Sequence, residues 1–258
     1  KKRAVQIGEV FRQQMGARRL MEFLTQHQLP MELAALLRRA YGDVALEVVK
    51  SNPYLLVDRE FEVEFSQADA LALSLGVGAE DPLRLEAGLA FELVHNNYNN
   101  GHTFLPRRKL VEATATLLEV SSTLLEESLD ALIRRGEAEC EPVAGQEAVY
   151  LPALYEAETF IAQRVREMSQ SELVPPEGLD RLIRRIEQDQ HIAYAPQQRA
   201  AVELAAGRQI MLLTGGPGTG KTTCLRGVLA LFEMMGLETA LTAPTGRAAK
   251  RLGELCYT

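Results

Sequence analysis

The sequence lacks the features that mark several classes of protein. No stretch approaches the roughly 20 consecutive apolar residues that span a bilayer, and the first residues lack the apolar core of a secretory signal peptide. The three cysteines, Cys140, Cys224 and Cys256, are too widely separated to indicate a disulfide framework or a zinc site. The four histidines have no ligand-like spacing either. These absences predict a protein of the reducing cytoplasm with no membrane partner.

Charge is unevenly distributed along the chain. The net charge is −7, with 47% hydrophobic and 24% charged residues, as in an ordinary globular protein. Residues 1–180 contain 18 Lys and Arg against 29 Asp and Glu, a net charge of −11, whereas residues 181–258 contain 10 against 6, a net charge of +4. Because cations that neutralise phosphates dominate nucleic-acid affinity, the C-terminal part is the expected place for any such contact.

A glycine-rich loop stands between an apolar run and an amphipathic stretch. Gly215, Gly220, Lys221 and Thr222 satisfy the phosphate-loop pattern G-x-x-x-x-G-K-[ST]. The apolar run Ile210–Leu213 predicts a buried parallel strand before the loop. The spacing after the loop predicts a helix packed on a sheet through Leu225, Val228, Leu229 and Phe232. This context predicts an α/β phosphate-loop fold that binds a nucleoside triphosphate.

Each part of this loop has a chemical role to fill. Backbone N–H groups and the helix dipole favour a polyphosphate at the N-terminus of the helix. Lys221 can reach the β- and γ-phosphates, and the hydroxyl of Thr222 can ligate Mg²⁺. We therefore expect ATP and Mg²⁺ as ligands, held by Gly215, Gly216, Gly218, Thr219, Gly220, Lys221, Thr222 and Thr223.

Two segments that flank the phosphate loop indicate which nucleotide is bound and what else the protein contacts. Upstream, Gln198 carries an amide donor and acceptor side by side, which match N6 and N7 of adenine. Downstream, Glu238–Ala243 predicts a second strand, followed by Pro244 and a helix that begins near Gly246. Thr245 can donate to a phosphate, and the helix adds the cations Arg247, Lys250 and Arg251. Because ligands of open α/β sheets bind beyond the carboxyl ends of strands, we expect this second loop beside the phosphate loop.

In this order, the three segments resemble the first motor domain of superfamily 1 DNA helicases of the RecD-like branch. Pro196–Val202 corresponds to the Q motif, Gly215–Thr223 to motif I and Ala243–Leu252 to motif Ia. The resemblance implies a RecA-like motor fold, with Gln198 on adenine and Lys221 and Thr222 as the catalytic residues. It places Pro244, Thr245 and Arg247 on the phosphates of single-stranded DNA.

The resemblance also implies an activity. RecD-like helicases use ATP to translocate 5′→3′ on single-stranded DNA and unwind duplex in recombination or repair, so single-stranded DNA and single–double-strand junctions are the expected partners. In the family, an acidic Walker B pair and an arginine finger follow motif Ia, whereas this sequence runs from Lys1 to Thr258 without them. We therefore interpret it as an excerpt of a longer protein.

The N-terminal region is predicted to be mainly helical. Helices over Gly8–His27, Pro30–Tyr41 and Val44–Ser51, with a further helix over residues 66–75, resemble the helix–hairpin–helix modules of the same family. Such a hairpin normally carries a Gly-x-Gly turn that holds a DNA phosphate, but the corresponding stretch here is Phe61–Phe65, with two carboxylates and no glycine. Because carboxylates repel phosphate and residues other than glycine resist positive φ, we expect a weakened DNA contact.

Three helices and a β-hairpin predict a winged-helix-like unit after this module. The helices cover Leu83–Tyr98, Arg107–Glu119 and Ser122–Arg135, and the hairpin pairs Glu137–Val143 with Glu147–Leu151 around residues 144–146. The stretch Asn96–Pro106 is predicted to be a turn-rich connection. Since the third helix carries Glu126, Glu127 and Asp130, a packing or protein-contact role is favoured over DNA reading.

The predicted organisation has four parts. A helix–hairpin–helix-like region (1–81) precedes a winged-helix-like region (82–155), connecting helices with a linker (156–190) and the start of a RecA-like motor domain (191–258). Two other functions stay open. One is an AAA+-type ATPase that does not act on DNA, because the same phosphate loop occurs there. The other is a non-catalytic interaction module whose acidic helical region binds a protein partner.

Overall fold

The computed structural model describes residues 15–256 of the chain. The chain divides between Ala157 and Glu158 into two compact units. The four-part division made from the sequence stays a prediction, and residues 8–14 of the first predicted helix lie outside the described residues.

The first unit contains the helices that the sequence predicts. Short polar or proline caps begin several of them: Asp81 accepts a hydrogen bond from the N–H of Leu83, and Ser121 accepts one from Thr123. The helices are α1 (15–26), α2 (Leu33–Tyr41), α3 (Ala45–Ser51), α4 (Phe65–Ser74), α5 (Pro82–Asn100), α6 (Arg107–Leu118) and α7 (Ser122–Arg135). Two 3₁₀ turns, Gly42–Val44 and Pro53–Val57, flank α3.

A three-stranded antiparallel sheet closes the first unit. Its strands are β1 (Phe104–Pro106), β2 (Glu139–Val143) and β3 (Gln146–Tyr150), in the spatial order β1-β3-β2. Ala144 and Gly145 form the hairpin turn with φ of 49° and 80°, which is typical of a two-residue type I′ turn. The strand β1 corrects the prediction of a turn-rich connection over Asn96–Pro106, because Leu105 pairs with Val149 across the sheet. Membership of the winged-helix class stays a prediction.

One apolar core and one buried ion pair hold the first unit together. The core includes the fully buried side chains Leu24, Leu37, Leu56, Leu89, Leu110, Leu125 and Leu129. Arg84 donates two parallel hydrogen bonds of 2.8 Å to Asp69 and further bonds to the carbonyls of Ala79 and Leu118. The guanidinium therefore connects α4, α5 and the end of α6.

The second unit is helical within the described residues. Helix α8 (Pro152–Gln170) crosses the division between the units, and α9 (Leu179–Asp189), α10 (Pro196–Gly207), α11 (Lys221–Met234) and α12 (Gly246–Cys256) follow. Ile183, Ile186, Tyr194, Val202 and Leu231 form the centre of its core.

The predicted sheet of the second unit is absent from the described residues. Ile210–Leu213 and Glu238–Ala243 are irregular, and Leu212 is 88% exposed. A parallel strand requires a neighbouring ladder for its backbone, and no strand lies beside either run in the described part of this unit. Helix α11 packs against α9 and α10 instead. Its buried residues are Cys224, Gly227, Val228 and Leu231, so of the predicted stripe only Val228 is buried.

Candidate nucleotide-binding site

The glycine-rich loop leads directly into the N-terminus of α11. Gly218 and Gly220 have φ of 77° and 85°, a region that glycine adopts without the steric cost of a Cβ. Gly220 is the N-cap of α11, so the loop ends where the helix presents its free N–H groups. The hydroxyl of Thr219 donates to the carbonyl of Gly216 at 2.9 Å and closes the loop on itself. Loop residues 214–219 are exposed, as access for a ligand requires.

The ammonium group of Lys221 lies over this loop. Its Nζ donates hydrogen bonds of 2.6 Å to the carbonyls of both Gly215 and Gly216. The positive charge is therefore held at the mouth of the loop, close to the helix N-terminus. The predicted residues from Gly215 to Thr223 thus form one continuous segment, which consists of the loop and the first turn of α11. The hydroxyls of Thr222 and Thr223 lie at the start of α11.

At two of the glycines an added Cβ would meet a polar side-chain atom. A Cβ on Gly220 would lie 2.2 Å from Nε2 of Gln198, and one on Gly215 would lie 2.7 Å from Oγ1 of Thr219. Neither distance is compatible with van der Waals packing. The loop is therefore built to let polar atoms approach the backbone, which fits a phosphate cradle.

The carboxamide of Gln198 joins the start of α10 to the phosphate loop. Its Oε1 accepts from the N–H of Ala195 at 3.0 Å, and its Nε2 donates to the carbonyl of Thr219 at 3.2 Å. The contact with Thr219 was not predicted, since the two residues are 21 positions apart in the sequence. The adenine contact stays a prediction, and these hydrogen bonds give Gln198 a second role in holding the loop.

Tyr194 packs the Q-motif segment against α11. Tyr194 as a whole residue is 8% exposed, and its hydroxyl would lie 2.2 Å from a Cβ on Gly227. The hydroxyl is buried without a hydrogen-bond partner in the described residues, and burial raises the pKa of this phenol. The one sequence feature that could have predicted this close contact is Gly227, a residue without a side chain within the apolar stretch of α11.

Arg199 links α10 to α9. Its guanidinium contacts Asp180 and Glu187 on or near α9 as well as Glu203 on its own helix. The Q-motif helix is thus fixed by an ion-pair network on one side and by the phosphate loop on the other. Sequence reasoning missed this role because the three acids are dispersed in the sequence.

The second predicted loop begins α12. Thr245 Oγ1 accepts a hydrogen bond of 3.3 Å from the N–H of Ala248 and so caps this helix. Pro244, Thr245 and Arg247 are exposed, and α12 packs against α11. The helices that follow the two loops are therefore in contact, whereas no hydrogen bond joins the loops themselves within residues 15–256. Their predicted adjacency and the DNA contacts stay predictions.

The hairpin of the N-terminal module differs from expectation in its backbone. Glu62 has φ of 53°, so a residue other than glycine adopts the left-handed conformation that was expected to be resisted. Burial of Phe61, Val63 and Phe65 in the core anchors the segment on both sides of this turn. The carboxylates of Glu62 and Glu64 are exposed, so the electrostatic objection to a phosphate contact remains.

Two of the three acidic residues of α7 have a partner inside the first unit. Arg107, at the start of α6, donates to Glu126 at 2.7 Å and to Asp130 at 2.5 Å. These bonds join α6 to α7 and support the packing role predicted for this helix.

Other classes of site are absent from the part of the chain that the structure describes. No cluster of three His, Cys, Asp or Glu side chains there has the geometry to hold a metal ion. No helix there is long and apolar enough to cross a membrane. The three cysteines are free thiols.

Comparison with known proteins gives two matching family models. Residues 13–104 match the helix–hairpin–helix domain of the ATP-dependent RecD2 DNA helicase, and residues 198–257 match an AAA domain. The chain therefore comprises a mainly helical N-terminal region with this module, followed by part of an AAA-type domain.

Curated relatives agree with these models. The chain is 29% identical over 252 residues to the ATP-dependent RecD2 DNA helicase of Deinococcus radiodurans. The aligned region covers 94% of this chain and 35% of the relative. It is 49% identical over 65 residues to the RecBCD enzyme subunit RecD of Mycobacterium tuberculosis, covering 22% of this chain and 11% of the relative. The chain thus spans about a third of the first relative's length. The predicted resemblance to the N-terminal region of RecD-like helicases is confirmed.

Proposed function

We propose, from the premise that this chain has the N-terminal region of a RecD-like helicase, that the whole protein is an ATP-dependent DNA helicase. It translocates 5′→3′ on single-stranded DNA and unwinds duplex in recombination or repair. The D. radiodurans relative is named an ATP-dependent DNA helicase, and the match covers nearly all of this chain. The nucleotide site on the described residues supports the same activity.

In this proposal the glycine-rich loop holds the triphosphate of ATP. The Lys221 ammonium, now on the carbonyls of Gly215 and Gly216, transfers to the β- and γ-phosphate oxygens when these enter the loop. Thr222 supplies a hydroxyl ligand to Mg²⁺, which when bound neutralises charge on the phosphates. Oxygen from a hydroxyl suits this hard cation, and the free N–H groups of α11 supply the remaining donors.

The second loop contacts the DNA strand in this proposal. Thr245 and Arg247 bind backbone phosphates, and Pro244 shapes the turn that presents them. Both residues are exposed, and the net charge of +4 over residues 181–258 favours a phosphate backbone. Packing of α12 on α11 provides a route by which nucleotide and DNA binding affect each other.

One observation carries the proposal: a closed phosphate loop with Lys221 over its mouth occurs in a chain whose other matched region is a RecD2 helicase module. An AAA+-type ATPase that does not act on DNA accounts for the loop but does not explain the match to a helicase module. A non-catalytic interaction module does not explain the presence of Lys221 and Thr222 in the loop.

The test compares two lysine variants of the full-length protein. Lys221→Ala removes the phosphate contact, and Lys109→Ala removes an exposed lysine on α6 as a control. Calorimetric titration with a non-hydrolysable ATP analogue and Mg²⁺ should give saturable binding for wild type and Lys109→Ala. For Lys221→Ala, binding should weaken strongly and ATP hydrolysis should cease. Hydrolysis at the wild-type rate in Lys221→Ala would overturn the proposal.

A further inference from the structure

A groove in the first unit belongs to no part of the proposed motor. It lies between the segment 52–59 and the outward face of α5, and Glu137, Ala138 and Leu151 line it as well. Its cavity volume is about 660 Å³, which is in the range of sites that hold a bound molecule. We refer to it as the α5 groove.

The wall of the α5 groove is an apolar helix face that the core covers only in part. Ala87, Phe91, Val94 and Tyr98 follow one another at helical spacing along α5. The opposite face of α5, with Leu85 and Leu89, is buried in the core. Phe91 and Val94 are only half-buried, and Tyr98 is 52% exposed. An apolar helix face that is exposed beside a groove is typical of an interaction site.

Arg59 closes one end of the groove. Its guanidinium lies 3.3 Å from the centre of the Tyr98 ring, as in a cation–π contact. This contact fixes the position of the Tyr98 ring at the surface, beside the groove.

Carboxylates dominate the charge around the groove. Asp58, Glu86 and Glu137 line it directly together with the one cation Arg59, and the hairpin that follows in the chain, outside the lining, carries the exposed Glu60, Glu62 and Glu64. Residues 1–180, which include the groove, carry a net charge of −11. This field repels nucleic-acid phosphate and attracts a cationic partner.

We propose that the α5 groove docks an amphipathic segment of a partner protein with large apolar side chains on one face and Lys or Arg beside them. The apolar side chains enter the groove against Phe91 and Tyr98. The cations face Asp58 in the groove, and the exposed hairpin glutamates that follow Asp58 in the chain add to the attraction. This inference is independent of the nucleotide site, since its residues lie in the other unit.

Fluorescence anisotropy measures peptide binding directly. The probe is a synthetic amphipathic peptide with Leu and one Trp on one helical face and Lys on the other, labelled at its N-terminus with fluorescein, and its anisotropy reports binding to the full-length protein. One control peptide has the same composition in scrambled order, and a second has Glu in place of Lys. Binding of the first peptide alone is the expected result. Equal binding of the scrambled peptide would overturn the proposal.

Two variants test the apolar wall. Tyr98→Ala removes an exposed ring, and Ala90→Lys places bulk and a repelling charge at an exposed position in the groove. Each is expected to raise the Kd of the peptide by about tenfold or more, as for loss of an anchor residue. Circular dichroism during thermal unfolding verifies that each variant is folded. An unchanged Kd in the folded Ala90→Lys variant would overturn the proposal even if Tyr98→Ala does not fold.

Matched charge variants test the hairpin glutamates that follow Asp58 in the chain. Glu60, Glu62 and Glu64 are changed together to Gln, and the control changes the exposed Glu119, Glu127 and Glu156 together to Gln. Both proteins lose three negative charges, but only the hairpin variant is expected to bind the peptide several-fold more weakly. Equal weakening would mean general charge attraction and would overturn the proposal.

Discussion

The carboxamide of Gln198 donates a hydrogen bond of 3.2 Å to the backbone carbonyl of Thr219, and so joins the start of α10 to the phosphate loop. A residue that only reads adenine has no need of this bond. A residue that also positions the loop affects every ligand that the loop binds, including one without a base.

The first prediction separates these two roles with Gln198→Leu, which is neutral and similar in size. Loss of the loop contact, at about 1 kcal/mol per hydrogen bond, should weaken binding of both ATP and inorganic tripolyphosphate about fivefold. Gln197→Leu, at an exposed neighbouring position, is the control. Calorimetric titration measures both ligands. Tripolyphosphate affinity equal to that of wild type would limit Gln198 to reading the base.

The second prediction concerns Gly220 and its matched control Gly236. Both have positive φ, so alanine at either position should cost about 1–2 kcal/mol of unfolding free energy. Only at Gly220 does the added Cβ meet a side chain, Gln198 Nε2 at 2.2 Å, whereas at Gly236 nothing lies within 4 Å. ATP affinity should therefore fall in Gly220→Ala and stay unchanged in Gly236→Ala. Equal affinities in the two variants would contradict the close-contact account of the loop.

The third prediction uses the contact between Tyr194 and Gly227. Gly227→Ala should lower the unfolding free energy by about 1–3 kcal/mol, because the added methyl overpacks against the phenol. Tyr194→Phe removes a buried hydroxyl without a described partner, so stability should stay equal or rise by up to about 1 kcal/mol.

Combining the two changes completes the cycle. Tyr194→Phe should recover part of the loss in Gly227→Ala but not all of it, since the ring carbon Cζ would still lie 2.9 Å from the new methyl. Urea unfolding of the four proteins measures the coupling. Strictly additive effects would mean that the two residues do not contact each other.

The fourth prediction concerns the pH dependence of the buried Asp69–Arg84 pair. Burial acts to raise the pKa of Asp69, but hydrogen bonds from Arg84 and Tyr54 and the Arg84 charge outweigh it, so the pKa lies below its ordinary value. A carboxyl with a depressed pKa in the folded state stabilises the fold above its unfolded pKa of about 3.9, and this stability is lost as pH falls through the folded value. Stability should therefore decline on acidification below about pH 4.

Asp69→Asn tests this pair directly. At neutral pH it should cost about 3–5 kcal/mol, because it leaves the Arg84 charge buried without its partner. The difference from wild type should shrink as Asp69 becomes protonated in acid. Asp43→Asn, in a 3.6 Å pair whose carboxyl is 60% exposed, should change stability by less than about 1 kcal/mol. A difference independent of pH would show that the Asp69 charge does not contribute.

Features set by local sequence were predicted well. The helices from α2 to α7 follow from apolar spacing and from caps such as Asp81 and Ser121, which act within one turn. The glycine-rich loop and its helix were predicted for the same reason, since the loop, its cap and Lys221 are contiguous in sequence.

Features set by distant pairing were not predictable in this way. Strand β1 has three residues and exists because Leu105 pairs with Val149. The apolar run Ile210–Leu213 has the composition of a strand, but composition does not supply a neighbouring ladder. The Gln198–Thr219 bond and the fit of Tyr194 on Gly227 likewise join residues far apart in the chain, so a single sequence gives little signal for them.

The most direct test of the central claim is the rate of ATP hydrolysis by the full-length protein with and without single-stranded DNA. A nucleotide loop coupled through α11 and α12 to a DNA-binding loop predicts a rate that rises when oligothymidylate is added, and neither rate should survive in Lys221→Ala. An ATPase rate that is the same with and without DNA would contradict the helicase assignment and favour an ATPase that does not act on DNA.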